Sequence, residues 1–377
     1  MKARFTFPFA LASFCLIVAP APRAQEIPPI PPPGVAVPHV VLMSMGGTIA
    51  SQATERLNLT NYGGKGVPRV DPEKWLHDLP DLALVARVTT EDFRPPADAP
   101  AAGGTTYPEL YAVARRLQEL ATDNTVDGIV VTHGTNTMAE TAWFMDLVVN
   151  IKKPVVYVGS QRPWSGISGD GPLNLYNAVR VAATPAAAGK GVLHCMNQNI
   201  NAARDVNKSS AYRVQTFQSI DLGVMGVADP DIVRFYSEPV RRHTFKSEFN
   251  IASLPAGPKD LPAVECIYAY TEAPGYLIDA LVEHGVKGVV VDGTGAGSPT
   301  GGPNGQTEAI KRAQEKGVVV VVTARTRGGR VQDTPRRRES KIVPADNLTP
   351  EKARMLLQLA LTKTTDLAEI KRIFDEY

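Results

Sequence analysis

Two threonine hydroxyls stand where predicted strands end. Thr48 follows the pair Gly46-Gly47 after one apolar run, and Thr135 follows His133-Gly134 after another. The glycines permit a tight turn and a close approach of two backbones. In an open parallel sheet the carboxyl ends of the strands meet at one edge, where ligands bind, so we expect both hydroxyls at that edge.

A lysine and a polar turn lie further along the chain. Lys208 ends the segment RDVNK, and Ser160-Gln161-Arg162 follows a third apolar run. A threonine nucleophile needs a base, and a lysine among other cations or apolar walls has a lowered pKa and can serve as one. Two hydroxyls and an amine therefore indicate nucleophilic acyl transfer. On spacing alone, the alternative stays open that both threonines only hydrogen-bond loops.

Composition and motif spacing exclude several other classes of protein. The 377-residue chain is 44% hydrophobic, which is too apolar for disorder over most of its length. Its formal charge of +2 gives no strong attraction to nucleic acid or to an anionic membrane. Three cysteines cannot form a Cys-rich zinc site. Neither Gly46-Gly47 nor Gly293-x-Gly295-x-Gly297 has the G-x-G-x-x-G spacing of a dinucleotide site.

The first residues have the pattern of a secretory signal peptide. Lys2 and Arg4 precede an apolar run that is too short to span a bilayer comfortably, and small residues follow. We predict export to the periplasm with cleavage after Ala24; a retained membrane anchor is the alternative. Removal of residues 1–24 takes away three basic residues and no acid, which changes the net charge from +2 to −1. Residues 25–38 are predicted to be a Pro-rich tether.

The rest of the chain alternates short β-branched apolar runs with helical patterns. This alternation predicts an α/β fold of two domains, with mainly parallel sheets covered by helices on both faces. We place a larger domain at 39–245, a linker without periodicity at 246–260 and a smaller domain at 261–377. No further run of roughly 18 apolar residues follows, so no membrane partner is expected after cleavage.

Individual elements follow from the same patterns. The predicted strands are 39–45, 128–132, 154–159, 191–196, 264–268, 288–291 and 317–323. The predicted helices are 107–121, 173–183, 275–284, 306–315, 350–361 and 367–374, with a short helix opening at Asp71-Pro72. Cys195 and Cys266 each lie in an apolar run, so we predict two buried free thiols, with a disulfide as the alternative.

Five segments form a more specific pattern along the chain: GGTIA, VVTHGTNTMAET, GSQRPWSGISGDGPLNLYNA, RDVNK and the terminal NLTPEKARMLLQLALTKTTDLAEIKRIF. Together they resemble the bacterial periplasmic (type II) L-asparaginase and glutaminase-asparaginase family. The resemblance implies a two-domain α/β fold and hydrolysis of a side-chain amide to acid and ammonia without metal or cofactor. It also implies a homotetramer of intimate dimers, with each site lying between two subunits.

The resemblance assigns roles to individual residues. Thr48 matches the nucleophile, and Tyr62 matches a tyrosine of a mobile lid that hydrogen-bonds it. Thr135 matches a second threonine, and Lys208 matches the lysine paired with that threonine; together they relay a proton or position water. His133 is interpreted as structural. The expected contacts to the amide substrate come from Gly47, Gly134, Asn136 and Ser160.

The chain departs from this family at three places. The family has Asp, which pairs with the substrate α-ammonium, where Asn136 stands here. It has a Ser-Gln or Ser-Glu pair for the α-carboxylate, and the corresponding stretch 93–106 is rich in Pro, Ala and Gly instead. The neighbouring subunit normally supplies a Glu, whereas here Pro335 or one of Arg336–Arg338 occupies that position. Glu339 or Glu272 is an alternative source of this acid.

These departures affect the amino-acid end of the substrate and leave the reacting centre intact. An ammonium opposite Asn in place of Asp loses a charge-assisted hydrogen bond of about 1.5–3 kcal/mol. One hypothesis is therefore altered specificity for amides without a free α-ammonium. Arg94 and the Arg336–Arg338 run would then bind an anion, although a solvated face is the alternative for the run. The remaining hypothesis is a catalytically weak member that serves as a small-molecule binding protein.

Overall fold

The computed structural model describes residues 36–63, 67, 69–95 and 104–377. The predicted signal peptide 1–24, most of the predicted tether 25–38 and the centre of the stretch 93–106 lie outside these residues. Across the described ranges, no helix is long and apolar enough to cross a membrane.

Fourteen strands form two larger sheets and one small hairpin within the described residues. They are β1 (His39–Ser44), β2 (Arg87–Asp92), β3 (Gly128–Thr132), β4 (Val155–Val158), β5 (Val192–Met196), β6 (Asn199–Ala202), β7 (Asn207–Lys208), β8 (Phe217–Gln218), β9 (Gly226–Ala228), β10 (Val233–Phe235), β11 (Val264–Tyr268), β12 (Gly288–Gly293), β13 (Val319–Ala324) and β14 (Ile342–Pro344).

Helices connect most of the parallel strands. They are α1 (Pro72–Asp78), α2 (Tyr107–Leu120), α3 (Met138–Val148), α4 (Gly171–Ala182), α5 (Tyr276–Glu283), α6 (Gln306–Glu315), α7 (Pro335–Glu339), α8 (Pro350–Ala360) and α9 (Leu367–Glu376). The predicted helices and strands are all present, with ends shifted by a few residues at most. The predicted mainly parallel α/β architecture is thereby confirmed.

The large sheet has eight strands in the order β10-β9-β6-β5-β4-β3-β1-β2. The five strands from β2 to β5 are parallel to their neighbours, and β6, β9 and β10 are antiparallel. The chain passes from β1 outward to β2 and then returns to the other side of β1 as β3. The strand order therefore reverses between β1 and β3, which creates a switch point at their carboxyl ends.

The smaller sheet, β11-β12-β13-β14, is entirely parallel and is covered on both faces. Successive side chains of a strand point to opposite faces. In β12, Val290 joins the core that contains α8, whereas Val289 and Val291 join the core under α5 and α6. Val321 and Val320 of β13 divide in the same way. The two central strands thus serve two separate cores.

The larger core extends beyond the large sheet. Buried side chains of α8 and α9 belong to the same hydrophobic cluster as β1, β3, β4 and β5. The segment 246–260, predicted to be a linker, also contributes, because Phe249 and Ile251 are buried in that cluster. The C-terminal helices therefore complete the core of the N-terminal sheet.

The sequence patterns missed the antiparallel side of the large sheet. The turn between β5 and β6 has only two residues, Asn197 and Gln198, both with positive φ of 49° and 66°. Two positive-φ residues form the tight turn that matches strand twist, but its usual Asn-Gly signal is absent here. The strands that follow are too short to show an alternating pattern.

The thiol prediction is confirmed for one cysteine and wrong for the other. Cys195 is buried and free, and burial raises its pKa to about 12. Cys266 is free but exposed, because β11 is an edge strand of the smaller sheet. Its thiol donates to the carbonyl of Pro350 at 3.4 Å.

The role of the last helix in the larger core predicts a specific loss of stability. Phe374 of α9 is 0% exposed. We expect Phe374→Ala to lower the free energy of unfolding by about 3–5 kcal/mol, because it leaves a cavity in that core. Urea unfolding followed by circular dichroism measures the change. Leu173→Ala, at an exposed position of α4, is the control and should change stability by about 0.5 kcal/mol or less. Equal effects of the two substitutions would contradict the packing described.

Candidate active site

The switch point is built on a contact between two glycines. Gly46 and Gly47 follow β1 with φ of 83° and 85°, in the left-handed region. A Cβ atom on Gly47 would lie 2.2 Å from the Cα of Gly134, in the turn after β3. Only glycine at position 47 allows this approach. The contact places the turns that carry Thr48 and Thr135 against each other.

Thr48 faces the hydroxyl of a tyrosine. Its Oγ1 lies 2.9 Å from the phenolic oxygen of Tyr62, and either oxygen can donate the hydrogen. Tyr62 is brought there by a loop that returns toward β1, since the Gly63 N–H donates to the Gln52 carbonyl at 3.1 Å. The predicted pairing of Thr48 with Tyr62 is present in this geometry.

Thr135 lies between an amine and an amide. Lys208 Nζ donates to Thr135 Oγ1 at 2.8 Å, and the Thr135 hydroxyl donates to Gln161 Oε1 at 3.3 Å. Thr135 is only 5% exposed. Burial lowers the pKa of Lys208, which raises the fraction of free amine at a given pH. The structure therefore brings Thr135 and Lys208 together, as predicted.

The contact of Gln161 with Thr135 was not predicted from the sequence. Its backbone N–H and that of Arg162 donate to the Asp170 carboxylate at 2.9 and 3.0 Å. Asp170 directly precedes α4, so this helix start fixes the turn that aims Gln161 at Thr135. The segment GSQRPWSGISGD contains several residues that can form hydrogen bonds, and this was the sequence signal that could have indicated such a turn.

Ser160 lies inside the same turn. It is buried, and its hydroxyl donates to the Arg162 carbonyl at 2.6 Å. This bond gives Ser160 a part in building the turn. Its predicted contact with substrate stays a prediction, as do those of Gly47, Gly134 and Asn136. Asn136 is exposed directly beside Thr135.

His133 is neutral and satisfied at both ring nitrogens. Burial lowers its pKa to about 4. Its Nδ1 lies 2.6 Å from the Gly134 carbonyl, which can only accept, so Nδ1 carries the hydrogen. Its Nε2 then accepts from the Thr105 hydroxyl at 2.7 Å. These bonds favour the structural interpretation of His133, because they hold the Gly134 peptide in place.

Arg94 does not present a free charge to an anion. Its guanidinium donates to Asp92 through Nε at 2.8 Å and to Asp71 through Nη2 at 2.8 Å, and its side chain is 8% exposed. A third bond goes to the Val70 carbonyl at 3.0 Å. The hypothesis that Arg94 binds an anionic group is therefore wrong, because two carboxylates already balance its charge.

The Arg336–Arg338 run lies on the short helix α7. Arg337 donates to the carbonyls of Gln332 and Ala296, both at 2.7 Å. Arg338 pairs with Asp333 at 2.9 Å. The run is thus partly structural, and neither of these two guanidinium groups is purely a solvated charge. In the part of the chain that the structure describes, no cluster of three or more His, Cys, Asp or Glu residues could hold a metal ion.

Parallel sheets with paired hydroxyls and a partly buried amine beside a switch point are the features of an α/β amidohydrolase, and comparison with known proteins tests this class. The family model described as "Asparaginase, N-terminal" matches residues 39–241. The model described as "Glutaminase/Asparaginase C-terminal domain" matches residues 263–374. The chain belongs to the asparaginase family.

Individual relatives agree over most of the chain. L-asparaginase 2 of Bacillus subtilis is 40% identical over 344 residues, covering 90% of this chain and 87% of the relative. Glutaminase-asparaginase of Pseudomonas fluorescens is 36% identical over 342 residues, covering 90% of each. The "Probable L-asparaginase periplasmic" of Haemophilus influenzae is 35% identical over 343 residues, covering 90% of this chain and 93% of that protein.

A solved structure gives the same result for the fold. The crystal structure titled "Probable Cytoplasmic L-asparaginase from Campylobacter jejuni" superposes with a TM-score of 0.82 at 35% identity. The match covers 90% of this chain and 100% of that one. The predicted family is therefore confirmed, and the protein is a hydrolase of the asparaginase type.

The glycine contact predicts a loss of activity without a large loss of fold. We expect Gly47→Ala to lower kcat for amide hydrolysis by about a hundredfold, because a displacement of about 1 Å misaligns the reacting groups. Ammonia release measures this. Gly285→Ala is the matched control, since Gly285 has a similar φ of 82° and nothing within 4 Å of a new Cβ. Undiminished turnover by Gly47→Ala would show that the two turns need not touch.

Proposed function

We propose that this protein hydrolyses a carboxamide to the acid and ammonia with Thr48 as the nucleophile. The observation that carries the proposal is a set of two hydrogen-bonded pairs, Thr48 with Tyr62 and Thr135 with Lys208. The turns that carry the two threonines touch at Gly47. The family supplies the reaction type, and the geometry supplies candidates for each step.

In the first step Thr48 Oγ1 attacks the amide carbon. The carbon–nitrogen bond breaks, and the threonine proton passes through the hydrogen bond with Tyr62 to the leaving nitrogen, which departs as ammonia. An ester of Thr48 remains. In the second step water attacks this ester, Lys208 accepts its proton through Thr135, and that proton returns to the Thr48 oxygen as the acid leaves.

The negative charge that develops on the carbonyl oxygen of the substrate during attack needs hydrogen-bond donors. The bond from His133 Nδ1 to the Gly134 carbonyl directs the N–H of the same peptide away from the imidazole, because the two groups of a trans peptide point in opposite directions. This N–H belongs to Thr135 and is a candidate donor for the oxyanion. One such donor is worth about 2.7–4 kcal/mol in a hydrolase.

The base also sets the pH dependence. Lys208 accepts a proton only as the free amine, so kcat rises with pH through the pKa of Lys208. Burial lowers that pKa, and the acidic limb of the profile therefore lies below the usual range of a lysine.

We further propose a periplasmic homo-oligomer, a tetramer by resemblance. The pattern of residues 1–24 and the periplasmic relative support export, although the Campylobacter structure is of a protein named cytoplasmic. Exposed apolar side chains on β11 and α5, including Tyr268, Tyr276 and Leu277, support a contact with a second copy.

Replacement of the nucleophile tests the main proposal. We expect Thr48→Ala to lower kcat by at least about a thousandfold, because no other group can form the ester. Ammonia release is measured from L-asparagine, L-glutamine and α-blocked amides. Thr48→Ser, which keeps the hydroxyl, is the matched control and should retain measurable turnover. Equal activity of the Ala and Ser variants would reject Thr48 as the nucleophile, and no turnover by the wild type would favour a binding protein.

A second candidate is an amidase for substrates that lack a free α-ammonium. The ionisable group next to the reacting hydroxyls is the Lys208 amine, and its pKa is lowered by burial with no contribution from a carboxylate of the described residues. Asn136, beside Thr135, is neutral. An α-ammonium brought to this place would meet this amine and the neutral Asn136 amide, with no counter-ion among the described groups that shift the pKa of Lys208.

Restoring a charge at position 136 tests the second candidate. We expect Asn136→Asp to raise kcat/KM for L-asparagine relative to an α-blocked amide by about tenfold or more, since one charge-assisted hydrogen bond is worth about 1.5–3 kcal/mol. Competition between the two substrates measures the ratio. Asn150→Asp adds the same charge at an exposed position after α3 and should leave the ratio unchanged. An unchanged ratio in Asn136→Asp would remove the candidate.

A further inference from the structure

A fully buried lysine holds the chain just before Lys208. Lys352 of α8 is 0% exposed, and its Nζ donates to the carbonyls of Ala203, Arg204 and Val206 at 2.9, 2.8 and 2.6 Å. Three carbonyl acceptors require three N–H donors, which only the ammonium form of lysine supplies. Lys352 therefore fixes the directions of three carbonyls of the 203–206 loop with one charge.

The segment that Lys352 holds leads directly into the proposed base. Two residues after Val206, Lys208 reaches Thr135 Oγ1 at 2.8 Å. On its far side Lys208 is paired with Phe217 in the hairpin of β7 and β8. The Lys208 backbone is thus held by a hairpin on one side and by the Lys352 ammonium on the other.

A second group from the C-terminal end supports the same segment. Arg204 donates through Nε to the Tyr377 carbonyl at 2.8 Å and through Nη1 to Asp205 at 2.7 Å. The Lys352 carbonyl itself accepts from Trp143 Nε1 at 3.2 Å. The loop that precedes Lys208 is therefore anchored by α8 and by the last residue of the chain, far away in sequence.

Burying this charge costs free energy. Burial lowers the pKa of Lys352 to about 8, against the attraction of Asp205, Glu351 and Asp146. An apolar residue of similar volume would avoid the desolvation cost, so a buried ammonium at this position is not explained by packing. Its bonds to carbonyls of a single loop are the feature that such a residue could not replace.

We propose that Lys352 is a positioning residue for the reaction: it holds the 203–206 loop so that the Lys208 amine meets Thr135. This inference rests on the proposed function, in which Lys208 is the base. Loss of the three bonds lets the loop relax, which lengthens the contact to Thr135 and admits water to Lys208. Misplacement of a reacting group by about 1 Å is enough to lower a rate by about a hundredfold.

The test compares two lysines that both bind backbone carbonyls. Lys352→Met is compared with Lys153→Met, because Lys153 donates to the carbonyl of Leu120, the last residue of α2, at 2.8 Å and to the Asp123 carbonyl in the turn that follows. Each mature variant is assayed for kcat, KM, the pH profile of kcat and thermal unfolding. We expect Lys352→Met to lower kcat by about tenfold to a hundredfold, because small misplacements of a reacting group lower rates by that order of magnitude. KM should stay within about twofold of the wild-type value.

The pH profile separates positioning from simple loss of stability. Water admitted to Lys208 reverses part of its burial, so the acidic limb should move to higher pH in Lys352→Met. Lys153→Met should keep the wild-type kcat and profile while its unfolding temperature falls. An unchanged kcat and profile in folded Lys352→Met would overturn the proposal. A loss in kcat with an unmoved limb would also overturn it, because that result indicates fewer active molecules.

Two further variants keep the test decisive. If Lys352→Met does not fold, Lys352→Gln keeps two N–H donors and is judged by the same criteria. Lys208→Met tests the function on which the inference rests. Wild-type turnover by Lys208→Met would reject Lys208 as the base, whereas an inactive Lys208→Met beside a fully active Lys352→Met would reject only the positioning role.

Discussion

The active site depends on the close approach of two backbones at Gly47 and Gly134. Parallel pairing of β1 with β3 brings their carboxyl ends together, but a side chain on Gly47 would keep the turns apart. Everything proposed about catalysis follows from that approach: Thr48 carries the first hydroxyl on one turn, and Thr135 carries the second on the other. The neutral imidazole of His133 and the carboxylate of Asp170 then fix the surrounding peptides, so the reacting groups are held by bonds to backbone more than by contacts with one another.

Burial is the main electrostatic influence on this site. It keeps His133 neutral and lowers the pKa of Lys208, and among the described residues no ion pair of Lys208 opposes the effect. Arg94 shows the opposite arrangement behind the glycine turn, where two carboxylates balance one guanidinium. The described residues thus place compensated charges around the site, and within it a partly buried amine without a carboxylate partner among them. Such a site favours a reacting group that is neutral, as a carboxamide is.

Much of the fold was predictable because its central strands are β-branched runs ended by glycine or by a helix start. The strands Gly128–Thr132 and Val264–Tyr268 and the helix Gln306–Glu315 have the predicted bounds. The candidate site residues Thr48 and Thr135 followed from their places after such runs, and Lys208 followed from its polar loop and from family resemblance. Gln161, the ion pairs of Arg94 and the role of α8 could not be predicted in this way. They depend on side-chain contacts such as Gln161 with Thr135, Arg94 with Asp71 and Lys352 with the 203–206 loop, and local periodicity carries no information about such contacts. The exposure of Cys266 was missed for the same reason, since an edge strand and a central strand have similar sequences.

The sharing of one core between both ends of the chain has a consequence for the order of synthesis. The first strands to leave the ribosome share one core with α8 and α9, which follow much later in the chain. Until those helices emerge, the N-terminal sheet exposes apolar surface, and the 203–206 loop lacks both the ammonium and the terminal carbonyl that anchor it. A chain that stops before Pro350 would have every proposed reacting residue and still lack the support for the lysine among them. On the proposed mechanism, hydrolytic competence therefore waits for α8 and α9, and a fragment that ends before Pro350 is expected to release no ammonia.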